Sequence, residues 1–194
     1  MSSRIFIPGS SIEQLELVAN ANPRFFRMNL IEGVLDIMLI AHTTGKRESL
    51  ITHHVVGWVL ANPNLAREYG SPQVLYTLPN GDQLGPDACV ILNNRWNILT
   101  NAQQNEAFPP VTPNFIIELR SQSDSVQYVH NKMLRWMNAG AEEGWSIDRF
   151  QNPPEVRIYT LNENNQINMQ TLSNPPQITS TVLRGFVMST RGIF

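Results

Sequence analysis

The sequence predicts an α/β fold, a mixed β-sheet flanked by helices with additional β-hairpins, in one domain over residues 1–194. Three observations predict it. The apolar runs at 88–92 and 115–117 are short and continuous, as in strands covered on both faces. Between 126 and 137, Val126, Val129, Met133 and Met137 recur at helical spacing beside Trp136. Elsewhere, short apolar runs separated by turn residues outnumber helical ones, which favours a sheet with helices on it over a bundle. A chain of 194 residues is long enough to bury one sizeable core.

In chain order, Met1 to Ser11 has an arginine but too short an apolar stretch for a signal peptide. Ser10 and Ser11 ahead of Glu13, Leu15, Leu17 and Val18 predict a capped helix that stops before Asn22-Pro23. F-F-R-M-N-L-I and V-L-D-I-M-L-I around Glu32-Gly33 predict a β-hairpin. Thr43-Thr44-Gly45 reads as a break. Residues 47–60 then carry Leu50, Ile51, His54, Val55, Trp58 and Val59 at helical intervals, closed by Pro63. Three strands are expected in 66–92, with the P-N-G-D turn at 79–82 between the last two. The polar stretch 93–106 suits a short helix and a loop. Later, E-V-R-I-Y-T-L and I-N-M-Q-T-L form a second hairpin around N-E-N-N-Q. Residues 183–194 are a mostly apolar tail that packs on the sheet. No repeat, low-complexity tract or linker interrupts this order.

Residues 112–148 organise the chain. Phe115, Ile116 and Ile117 lead into Glu118, and side-chain alternation puts Glu118 and Arg120 on one side of the strand. An acid at the end of an apolar strand is costly to bury without an arginine, a lysine or a metal as partner. The following helix offers a lysine. At 100° per residue, Lys132 lies about 40° from Trp136, at the edge of the apolar stripe. It either lays its stem on the core and reaches an anion, or it snorkels to solvent. Gly140 ends that helix, as a glycine beyond the last turn often does.

Composition narrows the function classes. No apolar run approaches the ~18 residues of a membrane span. The single cysteine, Cys89, excludes an intrachain disulfide and sits in an apolar strand pattern, so it reads as a reduced core residue. These features point to the cytoplasm. The net charge of −2 and pI near 6.1 argue against a non-specific nucleic-acid coat. They allow a local cationic patch or an acidic metal site. There is no H-x-x-x-H, C-x-x-C, P-loop or G-x-G-x-x-G, which disfavours zinc, nucleotide and dinucleotide chemistry. His53 and His54 diverge by about 100° on a helix and cannot both face one metal. Trp145 reads as core.

The candidate constellation is Asp87, Glu118 and Lys132. Asp87 follows Gly85-Pro86 and opens one strand; Glu118 ends another. Two carboxylates on adjacent strands can meet at one point of a sheet and hold a hard divalent cation such as Mg²⁺. Lys132 could reach the same point, where its charge would suit phosphoryl chemistry. Each acid also has a structural reading: Asp87 as a turn cap, Glu118 paired with Arg120.

Three stretches carry a resemblance: G-P-D-A-C-V-I, then T-P-N-F-I-I-E-L-R-S-Q-S-D-S, then N-K-M-L-R-W-M-N-A-G-A-E-E-G-W-S-I-D. Their order and spacing resemble the Uma-type restriction endonuclease family of the PD-(D/E)XK nuclease superfamily, over roughly residues 10–190. L-I-E-G-V-L-D-I-M and R-I-Y-T-L fit the same pattern. The resemblance implies a restriction endonuclease-like fold and an endodeoxyribonuclease acting on DNA with Mg²⁺ (or Mn²⁺). Asp87 and Glu118 match the metal-binding acids. Arg120 stands where the superfamily's lysine usually is, so Lys132 on the helix becomes the matching lysine and Arg120 a secondary contact for a phosphate oxygen. Many relatives have an acid where Asn29 stands and a histidine where Glu48 stands. The usual proline after the family's serine is Gln122 here. Glu32 and Glu48 are the further carboxylates that could join the metal site. Otherwise Glu32 is a turn residue and Glu48 a first-turn helix acid.

Two other functions remain in play on the residues alone. One is a catalytically silent nuclease fold that binds nucleic acid or a protein, favoured if the cleft that holds the acids is closed, or if the acids pair with arginines and leave no room for a metal. The other is an assembly protein that dimerises through residues 185–194. A homodimer is expected in the nuclease reading, since two strands need two cuts and two-fold dimers are the commonest oligomers.

Overall fold

The structure is a computed structural model that describes residues 4–21, 26–39 and 42–194. The elements in order are β1 Arg4–Pro8, α1 Ile12–Ala21, β2 Phe26–Ile31, β3 Val34–Leu39, α2 His42–Ala61, β4 Ala66–Gly70, β5 Tyr76–Thr77, β6 Gln83–Leu84 and β7 Ala88–Leu92. Then follow α3 Asn93–Trp96, α4 Asn101–Gln104, β8 Phe115–Leu119, α5 Val126–Asn138, β9 Glu143–Asp148, β10 Glu155–Leu161, β11 Ile167–Ser173, β12 Gln177–Thr179 and β13 Val187–Ser189. The fold is the expected mixed α/β class.

A six-stranded sheet, ordered β11-β10-β9-β8-β7-β4, forms the centre. Its β8 and β9 run parallel and its other pairs antiparallel. A parallel pair needs a crossover, and α5 supplies it. A second, five-stranded sheet has the order β1-β3-β2-β6-β5.

Strand alternation sorts the residues of the central sheet onto two cores. Phe115, Ile117 and Leu119 face Ile51 and Val55 of α2 together with Leu183, Phe186, Met188 and Ile193 of the tail. Cys89, Ile91 and Ile116 face Met133, Trp136 and Met137 of α5. Asp87 precedes Ala88 by one residue and Glu118 follows Ile117, so both carboxylates fall on the α5 side. Trp145 is a core residue, as expected, stacked on Phe186 and edge-on to Phe115. The tail packs on the sheet as its composition suggested, and it adds the β12–β13 pair. Buried Glu143 ties it down by accepting hydrogen bonds from Ser180, Thr181 and Val182.

Several elements differ from the sequence-based expectation. The N-terminal stretch is an edge strand, β1, paired to β3. The P-N-G-D turn joins the two-residue strands β5 and β6, so 66–92 holds four strands rather than three. Helix α2 starts at His42, so Thr44 and Gly45 are helical rather than a break. Propensity is a weak prior there, and Thr44 is buried by tertiary packing. The predicted stop at Asn22-Pro23 and the hairpin ends Phe25 and Ile40 lie outside the described residues.

Candidate active site

The register of the central sheet brings the two strand acids together. Ala88 of β7 lies opposite Ile117 of β8, and the Asp87 N–H donates to the Ile117 carbonyl at 3.1 Å. Asp87 therefore stands beside Glu118, where its Oδ2 accepts from the Leu119 N–H. The turn-cap reading of Asp87 is not what forms: the carboxylate ties two strands. It is 1% exposed and Glu118 is 4% exposed.

Lys132 completes the group from α5. Ser125 caps that helix by accepting from the Tyr128 N–H, and Gly140, at φ +106°, follows its end in a conformation glycine adopts without strain. The buried face is Val129, Lys132, Met133, Trp136 and Met137. Lys132 is thus buried rather than snorkelling. Its Nζ donates to Glu118 Oε2 at 2.9 Å and to the Gly85 carbonyl at 2.6 Å. Trp136, one turn on, donates its indole N–H to the other oxygen, Oε1, at 2.8 Å. Both oxygens of Glu118 are thereby oriented by α5.

The remaining members come from the N-terminal half. Arg27 of β2 donates through Nη1 to Asp87 Oδ1 and through Nη2 to Glu48 Oε1, the latter at 2.7 Å. Glu48, on α2, is buried. It sits beyond the first turn of the longer helix, so the helix-dipole role expected for it gives way to an ion pair inside the protein. Asn29, two residues on and on the same face as Arg27, accepts from the Gly85 N–H at 3.0 Å. Gly85 is thus gripped at its N–H by Asn29 and at its carbonyl by Lys132. A Cβ there would lie 2.6 Å from the Val74 carbonyl oxygen, which leaves room only for glycine.

The electrostatics follow from burial. Glu118 is pushed up to about 7, first by desolvation and then by Asp87, against the lowering pull of Lys132 and its hydrogen bonds. Glu48 is also raised, by burial and by Asp87, with Arg27 opposing. Burial alone would lower Arg27, but Asp87, Glu48 and Glu118 outweigh it and hold the guanidinium charged.

Two residues singled out in the sequence lie elsewhere. Arg120 does not pair with Glu118; its Nη1 donates to Asp148 at 3.0 Å and its guanidinium lies over Phe150. Glu118 is already satisfied by Lys132 and Trp136, so the strand neighbour is not needed. Glu32 occupies the β2–β3 turn with φ +50°, and its exposed carboxylate pairs with Arg135 at 2.8 Å. This is the turn role, and no contact joins Glu32 to Asp87 or Glu118 among the described residues. His130 hydrogen-bonds Tyr159, and Cys89 is buried with its thiol pushed up to about 12.

Arg27 is the member that the sequence reading missed. Its signal was present, because an arginine and an asparagine two apart in an otherwise apolar strand share one face.

The donor set fits a hard divalent cation. Mg²⁺ is held by one or two protein carboxylates with waters in the other positions, and Asp87 and Glu118 are two neighbouring carboxylates of that kind, although each of their four oxygens already accepts a hydrogen bond from Arg27, Leu119, Lys132 or Trp136. Three carboxylates, with Glu48, face the two cations Arg27 and Lys132. Among the described residues no group of three His, Cys, Asp or Glu side chains is disposed to hold a metal alone.

Comparison with known proteins bears on the fold and the family. No curated protein matches the chain. The crystal structure of a protein from Anabaena variabilis, titled a putative nuclease belonging to DUF820, superposes with a TM-score of 0.69 at 18% identity, over 86% of this chain and 89% of that one. It shares the fold. Residues 12–191 match the Uma2 family, described as "Putative restriction endonuclease". The chain, by that match over nearly its whole length, belongs to the Uma2 family.

Proposed function

We propose that the protein is a Mg²⁺-dependent endonuclease that hydrolyses DNA phosphodiester bonds, with Asp87, Glu118 and Lys132 as its catalytic set. One observation carries this reading. Two buried strand acids and a buried helix lysine, distant in sequence, share one site on the α5 side of the sheet. The family's description supports it.

Asp87 and Glu118 are the residues that would hold Mg²⁺, with Mn²⁺ as a substitute. Such an ion supplies polarisation of the scissile phosphate and a more acidic water. The chain's own residues do the rest. Trp136 and the Leu119 N–H fix the orientation of the two carboxylates. Lys132 sits where its ammonium stabilises negative charge that grows on phosphate oxygens, or orients the attacking water. Burial keeps these charges in a low-dielectric setting, where each acts more strongly than in water. Arg120 is available as a contact for an outer phosphate only by releasing Asp148. The setting proposed is cytoplasmic, and the working form is a homodimer. The outer strand β1 exposes Ile5, Phe6 and Ile7 on the edge of its sheet, an apolar edge of the kind that pairs. No helix among the described residues is long and apolar enough to cross a membrane.

A second reading has its own observation. Arg27 lies on Asp87 and Glu48, as expected of a catalytically silent nuclease fold that binds nucleic acid or a protein partner. Titrating Mg²⁺ and Mn²⁺ against supercoiled and linear DNA, beside Glu118→Ala, separates the two. Metal-dependent cleavage that Glu118→Ala abolishes supports the nuclease. DNA binding with no cleavage at any metal concentration supports the silent fold.

A further inference from the structure

Arg27 is a charged residue near the start of the largely apolar strand β2, and its side chain is 8% exposed. It bridges two carboxylates from different elements, Asp87 at the head of β7 and Glu48 on α2. Lys132 covers Glu118 in the same site. The bridge is nevertheless incompletely satisfied: Arg27 Nε and Asn29 Nδ2 are buried with no hydrogen-bond partner among the described residues. A buried donor left unpaired is costly, so this packing holds only while the guanidinium's attraction to its acids outweighs the loss.

We propose that Arg27 is the site's resident cation, and that it competes with a divalent metal for Asp87. This rests on the metal-dependent reading above and adds a control to it. With Arg27 in place, three carboxyls face two fixed cations, so even with every carboxyl ionised the excess negative charge available to an added ion is at most one. One oxygen of Asp87 is held by the Leu119 N–H and the other by Arg27. The Asp87 oxygen not held by the backbone is thus the one that Arg27 occupies, and a metal that takes it competes with the guanidinium. The site is closed at low metal concentration and opens as metal draws Asp87 away.

The test reads metal binding, not cleavage. Mn²⁺ is titrated into the full-length wild-type protein, Arg27→Met and the double variant Arg27→Met/Glu48→Gln, and free Mn²⁺ is followed by electron paramagnetic resonance. Arg27→Met is expected to bind Mn²⁺ at least tenfold more tightly than wild type. Arg27→Met leaves two buried acids without their partner and can fail to fold. The double variant removes one acid with the cation, keeps the cluster's net charge, and still frees Asp87. It too is expected to gain at least tenfold, and adding Asp87→Asn should erase that gain. Affinity within threefold of wild type in the double variant overturns the proposal. So does a gain in Arg27→Met that the double variant lacks, because charge rather than occupancy of Asp87 would then be the cause. So does a gain that survives Asp87→Asn. A failure of DNA cleavage with the Mn²⁺ results intact would count against the nuclease reading and leave the role of Arg27 standing.

Discussion

Replacing Lys132 by methionine should destabilise the protein by an amount that depends on pH. Methionine keeps most of the stem that packs beside Trp136 but removes the ammonium. Glu118 Oε2 loses its donor at 2.9 Å and the Gly85 carbonyl its donor at 2.6 Å. In the wild type the Glu118 carboxyl is pushed up to about 7, above its ordinary 4.5. The folded protein therefore binds the proton more tightly than the unfolded chain, and this group's contribution to stability falls as pH rises from about 4.5 to 7. Without Lys132 the carboxyl moves higher still. Below pH 6 it is protonated in both proteins, and the substitution costs only the lost hydrogen bonds, about 1–2 kcal/mol. Above pH 7 the variant must either keep its proton or bury an unpaired charge. The difference then grows by about 1.4 kcal/mol per pH unit, to roughly 3–5 kcal/mol at pH 9. Urea denaturation of both proteins at intervals from pH 6 to 9 measures it. A stability difference that stays constant over that range would refute the coupling of Lys132 to Glu118.

Other perturbations probe the same site and its surroundings. In the metal-free protein the Glu118 carboxyl should titrate through about 7, and Trp136→Phe, which removes the indole donor to Oε1, should move that titration to higher pH, as read by carbon-13 NMR of the side-chain carboxyl. Gly85→Ala should cost about 1–3 kcal/mol in urea denaturation, because its Cβ meets the Val74 carbonyl rather than a movable side chain. It should also abolish cleavage by shifting the carbonyl that positions Lys132, and near-wild-type activity would contradict that role. Light scattering on the eluted protein should report a dimer that Phe6→Lys converts to a monomer. A monomeric wild type would remove β1 as the interface.

How much of this was legible in the sequence depends on the kind of signal. The central unit was legible because its patterns are local: a continuous apolar strand, an amphipathic helix ended by Gly140, and a second strand beyond it. Asp87, Glu118 and Lys132 were legible as polar residues at the edges of those patterns. The two-residue strands β5 and β6 were not, since a run that short has no period to detect. Strand β1 was passed over because R-I-F-I-P pairs only with β3, a partner about thirty residues away that no local pattern reveals. The place of Arg27 was hidden for a related reason. That strand's polar residues could be recognised as sharing a face, but the acids they meet, on α2 and β7, are set by tertiary packing. Glu48 gained its arginine from the same packing, and Arg120 lost its expected partner because α5 had already supplied two donors to Glu118.

The most direct measurement is single-turnover cleavage of supercoiled DNA by the wild type, Asp87→Asn, Glu118→Gln and Lys132→Met in parallel, at saturating Mg²⁺ or Mn²⁺, with each variant's fold checked by circular dichroism. A nuclease centred on these three residues predicts metal-dependent nicking by the wild type and a loss of about a hundredfold or more in every folded variant. Cleavage that persists at the wild-type rate in all three variants, or no cleavage by the wild type at any metal concentration, would contradict it.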